Sequence, residues 1–201
     1  MPTWLSVFPS KLVEEAECGK GEVLFVDMGG NIGHQCADFK AKYLDVDGRV
    51  VLQDLQYAID TALKTDGVQN TVHDIFTRQT LKGIVPLSTL NRPLTEPGAK
   101  FYYLRAVLHD WPDANCQEIL RNIIPAMAED SVILINEMVL PETKVHWEAT
   151  QIDMTVMAFV AARERTRAEW ETLLWSVGLV VDEAWTYTPS VYESILLVKR
   201  K

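Results

Sequence analysis

A histidine and two glutamates stand at positions where they could carry out acid–base chemistry. His109 and Glu137 each follow an apolar segment of strand type, and Glu164 lies in the sequence RERTRAEW. Neutral imidazole accepts a proton near pH 7, and a carboxylate bonded to the ring fixes its tautomer and stabilises the imidazolium. The three residues predict proton abstraction from a substrate. Two plainer alternatives are a structural histidine and a surface ion pair between Glu164 and its neighbouring arginines.

A glycine-rich turn follows the apolar run 23–26 in the sequence VDMGGNIGHQ and leads into a segment of helical character. The turn begins at Asp27 and holds Gly29, Gly30 and Gly33. Glycines permit a tight turn, and a helix N-terminus offers free N–H groups. The spacing differs from the dinucleotide pattern G-x-G-x-x-G. Asp54 ends the next predicted strand, where a carboxylate can accept hydrogen bonds from ribose hydroxyls. Together they favour an adenosyl ligand over a turn needed only for packing.

Strand-type and helix-type segments alternate along the chain. The predicted strands are 23–26, 49–52, 71–73, 101–104, 131–135, 180–187 and 190–198. The predicted helices are 33–43, 57–64, 114–127, 148–162 and 166–177. Such alternation indicates an α/β fold, a mostly parallel seven-stranded sheet with helices on both faces. The last two strands, separated by Thr188-Pro189, predict an antiparallel pair.

Polar residues follow five of the predicted strands: Asp27, Asp54, Asp74, His109 and Glu137. Ligands of parallel α/β sheets bind beyond the carboxyl ends of the strands. We therefore expect these side chains to gather along one edge of the sheet and to form the functional site there.

Charge and composition exclude several classes of function. The 201 residues carry a formal net charge of −9, which disfavours binding to nucleic acid through its phosphates. No apolar run approaches the roughly 20 residues of a membrane span, and no signal peptide is evident. The three cysteines form no CxxC pair, and no cluster has metal-ligand spacing. We expect reduced thiols, a cytoplasmic protein and no bound metal.

Six segments together resemble the catalytic domain of the plant- and fungal-type S-adenosylmethionine-dependent O-methyltransferases, most of all the fungal branch that serves secondary metabolism. They are, in chain order, VDMGGNIGHQ, VVLQDL, VHDIF, YYLRAVLHDWPD, ILINEMVLPET and ERTRAEWETLLWSVGL. The resemblance covers nearly the whole chain, and LHDWPD with the ERT segment is its most specific part. It implies a Rossmann-like class I methyltransferase fold, with residues 1–201 as a single cofactor-binding domain.

The resemblance also implies roles for the matching residues. His109 would be the base that deprotonates a hydroxyl of an aromatic or polyketide-like small molecule, with Glu137 and Glu164 as the acids beside it. No metal would be needed, because the imidazole replaces a metal-bound hydroxide. The residues around S-adenosylmethionine would be Asp27, Gly29, Gly30, Gly33, Asp54, Leu55, Asp74, Ile75 and Arg105. The residues of the acceptor pocket would be Trp111, Met154 and Met157. The two methionines could equally belong to a helix core.

Three features depart from the family pattern. Only 22 residues precede Val23, where the family has an N-terminal domain that forms the dimer and closes the acceptor pocket. Asn31 stands where glycine is common, which the turn should tolerate because asparagine accepts left-handed conformations. The stretch Ile84–Gly98 carries three prolines and is interpreted as an inserted loop, either lineage-specific or a retained intron. A second function therefore stays open, a non-catalytic methyltransferase-fold module that binds cofactor or a partner protein.

Overall fold

The computed structural model describes residues 2–81 and 98–201. The predicted insertion at 84–98 lies outside the described residues, except for Gly98. Contacts group the chain into two compact units, which we name by their main features. The glycine-turn unit comprises Ser10–Tyr103 with Asn122–Val132, and the His109 unit comprises Met1–Pro9, Leu104–Arg121 and Ile133–Lys201. The expectation of one domain over the whole chain stays a prediction.

The glycine-turn unit contains a parallel sheet in the strand order β3-β2-β1-β4. The strands are β1 Val23–Met28, β2 Arg49–Asp54, β3 Val68–Val72 and β4 Phe101–Arg105, whose first three residues belong to this unit. All six residues of β1 are buried, as expected for a parallel strand covered on both faces. Asp27 pairs in register with Leu52 of β2 and Tyr103 of β4, so it lies inside β1 rather than after it.

The helices of this unit are α2 Ser10–Glu14, α3 His34–Lys42 and α4 Gln56–Ile59. Helix α3 packs on β1 through Phe39, whose ring stacks on that of Phe25 at 4.2 Å between centroids. The helix predicted over 57–64 is wrong in length, because α4 ends at Ile59. The N–H of Leu63 donates to the carbonyl of Ile32 at 2.9 Å, which removes it from a continuing helix.

The His109 unit contains an antiparallel arrangement in the strand order β5-β8-β7. The strands are β5 Val132–Leu140, β7 Leu179–Thr186 and β8 Glu193–Arg200, and the two-residue β6 Arg165–Thr166 pairs in parallel with the end of β5. The predicted antiparallel C-terminal pair is confirmed. The fifth strand is longer than predicted, so Glu137 lies within β5 rather than at its end.

The helices of the His109 unit begin with α1 Trp4–Val7. The others are α5 Asp113–Ile123, which runs on into the glycine-turn unit, α6 Trp147–Val160 and α7 Arg167–Ser176. Helix α5 ends four residues before the predicted boundary, because Pro125 cannot continue the backbone ladder and a 3₁₀ turn takes over at Ile124–Ala126. A capping box between Thr166 and Glu169 starts α7.

The fold is α/β, as predicted, with largely parallel strands and an antiparallel C-terminal pair. All seven predicted strands are present within the described ranges, and β6 is an addition. None of the helices in residues 2–81 and 98–201 has the length and apolar character that crossing a membrane requires. The three cysteines are free thiols, and Cys36 and Cys116 are buried.

Candidate active site

His109 lies in a short 3₁₀ turn, Leu108–Asp110, just after β4. Ala106 has a φ of +50°, a left-handed conformation that is uncommon for a residue other than glycine. Its N–H donates to the carbonyl of Asn136 on β5 at 3.2 Å. Backbone strain of this kind persists only where the surroundings hold it, and it is frequent at functional sites. The strained residue turns the chain out of β4 and leads it into the His109 turn.

Glu164 makes a direct hydrogen bond to the imidazole. Its Oε1 lies 2.8 Å from His109 Nδ1, and both groups are largely shielded, with 1% of the Glu164 side chain and 18% of the His109 side chain exposed. The N–H of Glu164 donates to Asp153 Oδ1 on α6 at 2.8 Å. The carboxylate is therefore held in place by its backbone as well as by the ring. This bond leaves Nε2 as the ring nitrogen that can exchange a proton with a substrate.

Glu137 supports the same turn from β5. Its Oε1 accepts the N–H groups of Val107 and Leu108 at 2.9 Å each, and its Oε2 lies 4.0 Å from His109 Nδ1. Burial raises the pKa of Glu137 to about 7, against the opposing effects of His109 and of the two backbone donors. This carboxyl group is thus both an anchor for the turn and a second acidic neighbour of the imidazole.

The surrounding carboxylates change the proton affinity of the ring. Burial by itself lowers the pKa of His109, but the hydrogen bond to Glu164 and the charges of Glu137, Glu164 and Asp110 outweigh it and raise the pKa to about 9. Asp110 Oδ1 lies 3.4 Å from His109 Nε2. The environment therefore stabilises the imidazolium, which is the form that a general base reaches after it has taken a proton.

A cavity of about 170 Å³ opens beside His109 within the His109 unit. Its polar lining consists of Arg105, His109, Asn136, Glu137, Glu164 and Glu193. Its apolar lining consists of Ala106, Met138, Ile152 and Val191. A small number of ionisable groups that converge on a partly apolar cavity is typical of a small-molecule site. All three residues of the predicted acid–base group border this one cavity.

The glycine-turn unit brings together the other predicted residues. Gly29 (φ +69°) and Gly33 (φ +89°) take the left-handed conformation, and so does Asn31 (φ +53°) as expected. Asp54 Oδ2 accepts the N–H of Asn31 at 2.7 Å, and Oδ1 accepts that of Leu55 at 2.7 Å. The carboxylate is thus oriented beside the turn, while its remaining lone pairs can accept further hydrogen bonds.

Gly30 is packed too closely for any side chain. A Cβ there would lie 2.4 Å from Asp27 Oδ2 and 2.6 Å from Leu52 Cδ1. Asp27 is 1% exposed, and its Oδ2 accepts a weak hydrogen bond from Cys36 Sγ at 3.7 Å. The backbone of the turn is therefore not covered by a side chain at Gly30, and it lies beside a buried carboxylate. A ligand with polar hydrogens can approach such a turn closely.

Beyond β3, Asp74 and Ile75 begin the next turn. Asp74 Oδ1 accepts the N–H of Phe76 at 2.9 Å. The preceding His73 is buried, and its N–H donates to the carbonyl of Asp54 at 2.9 Å, so the two turns after β2 and β3 lie next to each other. The predicted adenosyl-contacting residues of this unit therefore form one neighbourhood.

The remaining predicted residues lie in the His109 unit. Arg105 borders the His109 cavity, with its Nη2 at 3.7 Å from Glu193 Oε1. Trp111 is half-buried just after the His109 turn. Met154 and Met157 lie on α6 with 60% and 58% of their surface exposed, so a place in a helix core is wrong for both. The same helix contributes Ile152 to the cavity, and a pocket role for the methionines stays a prediction.

Several cavity residues were missed by the sequence reasoning. Asn136 and Met138 flank Glu137, so their closeness to the site could have been inferred from the strand alone. Nothing in the sequence near Glu193 indicated that this residue lies close to the site. It reaches the cavity because β8 runs antiparallel to β5 and places Glu193 opposite Met138, a register that the sequence pattern does not reveal.

His109, Glu137 and Glu164 also satisfy the distance condition for holding a metal ion. Their potential ligand atoms lie within 4.8 Å of one another. Some of these atoms are already engaged, however: His109 Nδ1 bonds Glu164 Oε1, and Glu137 Oε1 accepts two backbone N–H groups. A metal ion on Nδ1 would have to displace the 2.8 Å bond to Glu164.

Comparison with known proteins identifies relatives over almost the entire chain. The demethylsterigmatocystin 6-O-methyltransferase stcP of Emericella nidulans is 40% identical over 186 residues, which cover 92% of this chain and 83% of stcP. The O-methyltransferase ucdC of Aspergillus ustus is 40% identical over 175 residues, 87% of this chain and 42% of ucdC.

Among solved structures, LepI in complex with SAM matches with a TM-score of 0.87 at 34% identity, over 100% of this chain and 49% of the LepI chain. The curated relative of that name is O-methyltransferase lepI of Aspergillus flavus. The chain thus spans about half the length of LepI and of ucdC. The O-methyltransferase domain family matches residues 6–180. With this match and the relationship to stcP, the chain belongs to the O-methyltransferase domain family.

Proposed function

We propose that this chain is an S-adenosylmethionine-dependent O-methyltransferase that methylates a hydroxyl group of an aromatic or polyketide-like small molecule. The observation that carries the proposal is the 2.8 Å bond between His109 Nδ1 and Glu164 Oε1 at the edge of the cavity. It provides an oriented base whose protonated form is stabilised. The names of relatives such as stcP agree with an acceptor of this class.

The cofactor would be held by the glycine-turn unit. Asp54, which is held by the N–H groups of Asn31 and Leu55, would accept hydrogen bonds from the ribose hydroxyls, and Gly29, Gly30 and Gly33 would leave the backbone accessible to the rest of the molecule. Asp74 and Ile75, beside the Asp54 turn, would border the adenine. When bound, the sulfonium of S-adenosylmethionine supplies the methyl group. LepI, which is 34% identical, has been determined in complex with SAM.

The proton step is assigned to His109. Nε2 of the neutral ring takes the proton of the acceptor hydroxyl, so the O–H bond breaks and an N–H bond forms. The oxygen is left as the nucleophile that receives the methyl group, and Glu164 stabilises the imidazolium that results. Proton transfer of this kind contributes about 10²- to 10⁴-fold to rate.

The pKa of about 9 at His109 favours phenolic or enolic acceptors. A phenol has a pKa of about 10, so transfer to this imidazole is nearly balanced in energy. An aliphatic alcohol is far less acidic and would need a much stronger base. The apolar part of the cavity, made by Met138, Ile152 and Val191, fits contact with a ring system.

We propose that the reaction needs no metal ion. The engagement of His109 Nδ1 by Glu164, and of Glu137 Oε1 by two backbone donors, supports this. Turnover that is unchanged after exhaustive treatment with a chelator agrees with the proposal. Turnover that is lost with the chelator and restored by added Mg²⁺ or Zn²⁺ contradicts it.

The first test is calorimetric titration of the purified chain with S-adenosylmethionine and with S-adenosylhomocysteine, followed by transfer of a labelled methyl group to a panel of phenols. We expect micromolar binding and labelled product. His109→Gln should abolish the product and leave cofactor affinity within about twofold. Product formation that survives this change contradicts the role of His109.

The assay must follow the methyl group itself, because another solved structure, 34% identical with a TM-score of 0.88, is described as a pericyclic reaction enzyme. Stoichiometric formation of S-adenosylhomocysteine separates methyl transfer from a reaction that merely uses the bound cofactor. Binding without transfer to any phenol would favour the non-catalytic alternative. A folded chain that does not bind the cofactor would contradict the assignment of the glycine-turn unit.

A further inference from the structure

Arg165 is an almost fully buried cation within the His109 unit. Its side chain is 2% exposed, and such charges are rare unless they are paired and hydrogen-bonded. Its Nε and Nη2 donate to Asp113 Oδ1 at 3.0 and 2.8 Å, and the guanidinium lies over the ring of Trp170 at 5.1 Å. The proton-transfer mechanism above makes no use of this group.

Besides a 3.5 Å bond from Nη2 to Cys116 Sγ, two more bonds of the Arg165 side chain end on the turn that carries His109. Nη1 donates to the carbonyl of Leu108 at 3.1 Å, and Nη2 donates to the carbonyl of Trp111 at 2.8 Å. These carbonyls stand one residue before and two residues after His109. The guanidinium therefore brackets His109 from the carbonyl side of the turn.

Glu137 binds the same turn through the hydrogen-bond donors of its backbone rather than through the acceptors. It accepts the N–H groups of Val107 and Leu108, whereas Arg165 donates to the carbonyls of Leu108 and Trp111. A carboxyl group thus satisfies the donors of the turn, and a cation satisfies its acceptors. Both are buried, where such charge-assisted bonds are strong.

Arg165 also follows Glu164 directly in sequence. Glu164 bonds the ring of His109, and Arg165 bonds the backbone on both sides of it. Glu164, just before β6, and Arg165, its first residue, therefore fix the imidazole relative to its own main chain. The pairing of Arg165 with Val139 of β5 anchors this segment to the sheet.

We propose that Arg165 is a positioning residue that sets the orientation of the His109 ring through its backbone turn and thereby maintains the bond to Glu164. This inference rests on the proposed role of His109 as base. Lysine cannot replace the guanidinium, since a single ammonium cannot present donors in a planar fork to two carbonyls and a carboxylate.

The test compares Arg165→Lys with Arg167→Lys. Arg167 lies two residues away and makes a 2.6 Å pair with Glu171 on the exposed side of α7, so it is a matched control. We expect Arg165→Lys to lower kcat at least tenfold, with cofactor affinity within twofold of the unchanged chain. We also expect the pKa of His109, followed by NMR of the imidazole, to fall because the bond to Glu164 loosens. Arg167→Lys should change neither quantity.

A folded Arg165→Lys protein with unchanged kcat and an unchanged His109 pKa overturns the proposal. A loss of kcat that is fully explained by a smaller amount of folded protein also overturns the proposal. The NMR titration needs no turnover, so it still tests the role of Arg165 if the chain proves not to transfer methyl groups.

If Arg165→Lys does not fold, Asp113→Ala provides the second variant. The Asp113 side chain is 56% exposed, and its removal takes away the carboxylate to which Nε and Nη2 donate, so the guanidinium loses one of its anchors. The same lowering of the His109 pKa is then expected, in smaller measure. An unchanged His109 pKa in folded Asp113→Ala overturns the proposal.

Discussion

His109 and Glu164 are joined by a 2.8 Å bond, although 55 residues separate them along the chain. The bond lies in a largely buried setting, with Glu137 Oε2 at 4.0 Å from the same ring nitrogen. Two carboxylates around one imidazole stabilise its protonated form, which explains a pKa of about 9 despite burial. The free protein therefore holds a protonated His109 at neutral pH, and the neutral base becomes more abundant as the pH rises.

The pH dependence of kcat/KM follows from this relationship. We expect it to rise with pH up to about 9, since the reactive form is the deprotonated ring and kcat/KM reports the free enzyme. Glu164→Gln removes a negative charge that favours the imidazolium, while burial continues to disfavour it. The midpoint of the rising limb should move toward or below about 6.5, the ordinary pKa of histidine, and the maximal kcat/KM should be lower.

The measurement is a profile of kcat/KM from pH 6 to pH 10 for both proteins. Glu148→Gln is the matched control, because Glu148 lies 3.9 Å from His146 in an exposed pair. Its profile should coincide with that of the unchanged chain. A limb that stays near pH 9 in Glu164→Gln would show that Glu164 does not set the proton affinity of His109.

Asp54 should determine the affinity for the ribose of the cofactor. Asparagine has one oxygen where aspartate has two, so Asp54→Asn cannot accept both ribose hydroxyls while also holding the N–H of Asn31 and Leu55. Loss of charge-assisted hydrogen bonds at about 1.5–3 kcal/mol each predicts a Kd for S-adenosylhomocysteine that is raised about 10- to 100-fold. Calorimetric titration measures this directly.

Asp45→Asn is the control for that experiment, because Asp45 is an exposed residue of the same unit. It should bind the cofactor as the unchanged chain does. Equal affinities for Asp54→Asn and Asp45→Asn would remove Asp54 from the cofactor site.

Gly30 should be indispensable for packing the glycine turn. The added methyl of Gly30→Ala would lie within 2.6 Å of Asp27 and Leu52, both buried, so the turn must shift. Overpacking of this kind costs about 1–3 kcal/mol of unfolding free energy. Gly21→Ala meets nothing within 4 Å and should change stability by less than about 0.5 kcal/mol. Denaturant unfolding of both variants measures their free energies of unfolding, and equal values would contradict the predicted clash.

Much of the fold follows from local patterns in the sequence. The spacing of apolar residues in α5 is readable because burial of one helix face imposes a period, and β1 is readable as a continuous apolar run because both of its faces are buried. The ends of these elements are less predictable. Helix α4 stops at Ile59 because Leu63 finds a partner at Ile32, and β5 extends through Glu137 because β8 pairs with it. Such long-range partners leave no local signal.

The sequence by itself determined the chemical groups of this protein: a glycine turn before a helix, an acid at the end of the second strand, and a histidine with two glutamates. The tertiary structure decided which of them act on one another. It joined Glu164 to His109, turned Arg165 inward against the His109 turn and brought Glu193 to the cavity through the register of β8 on β5. The physical reason is that a contact across 55 to 57 residues depends on how whole elements pack, which residue types and spacing do not specify.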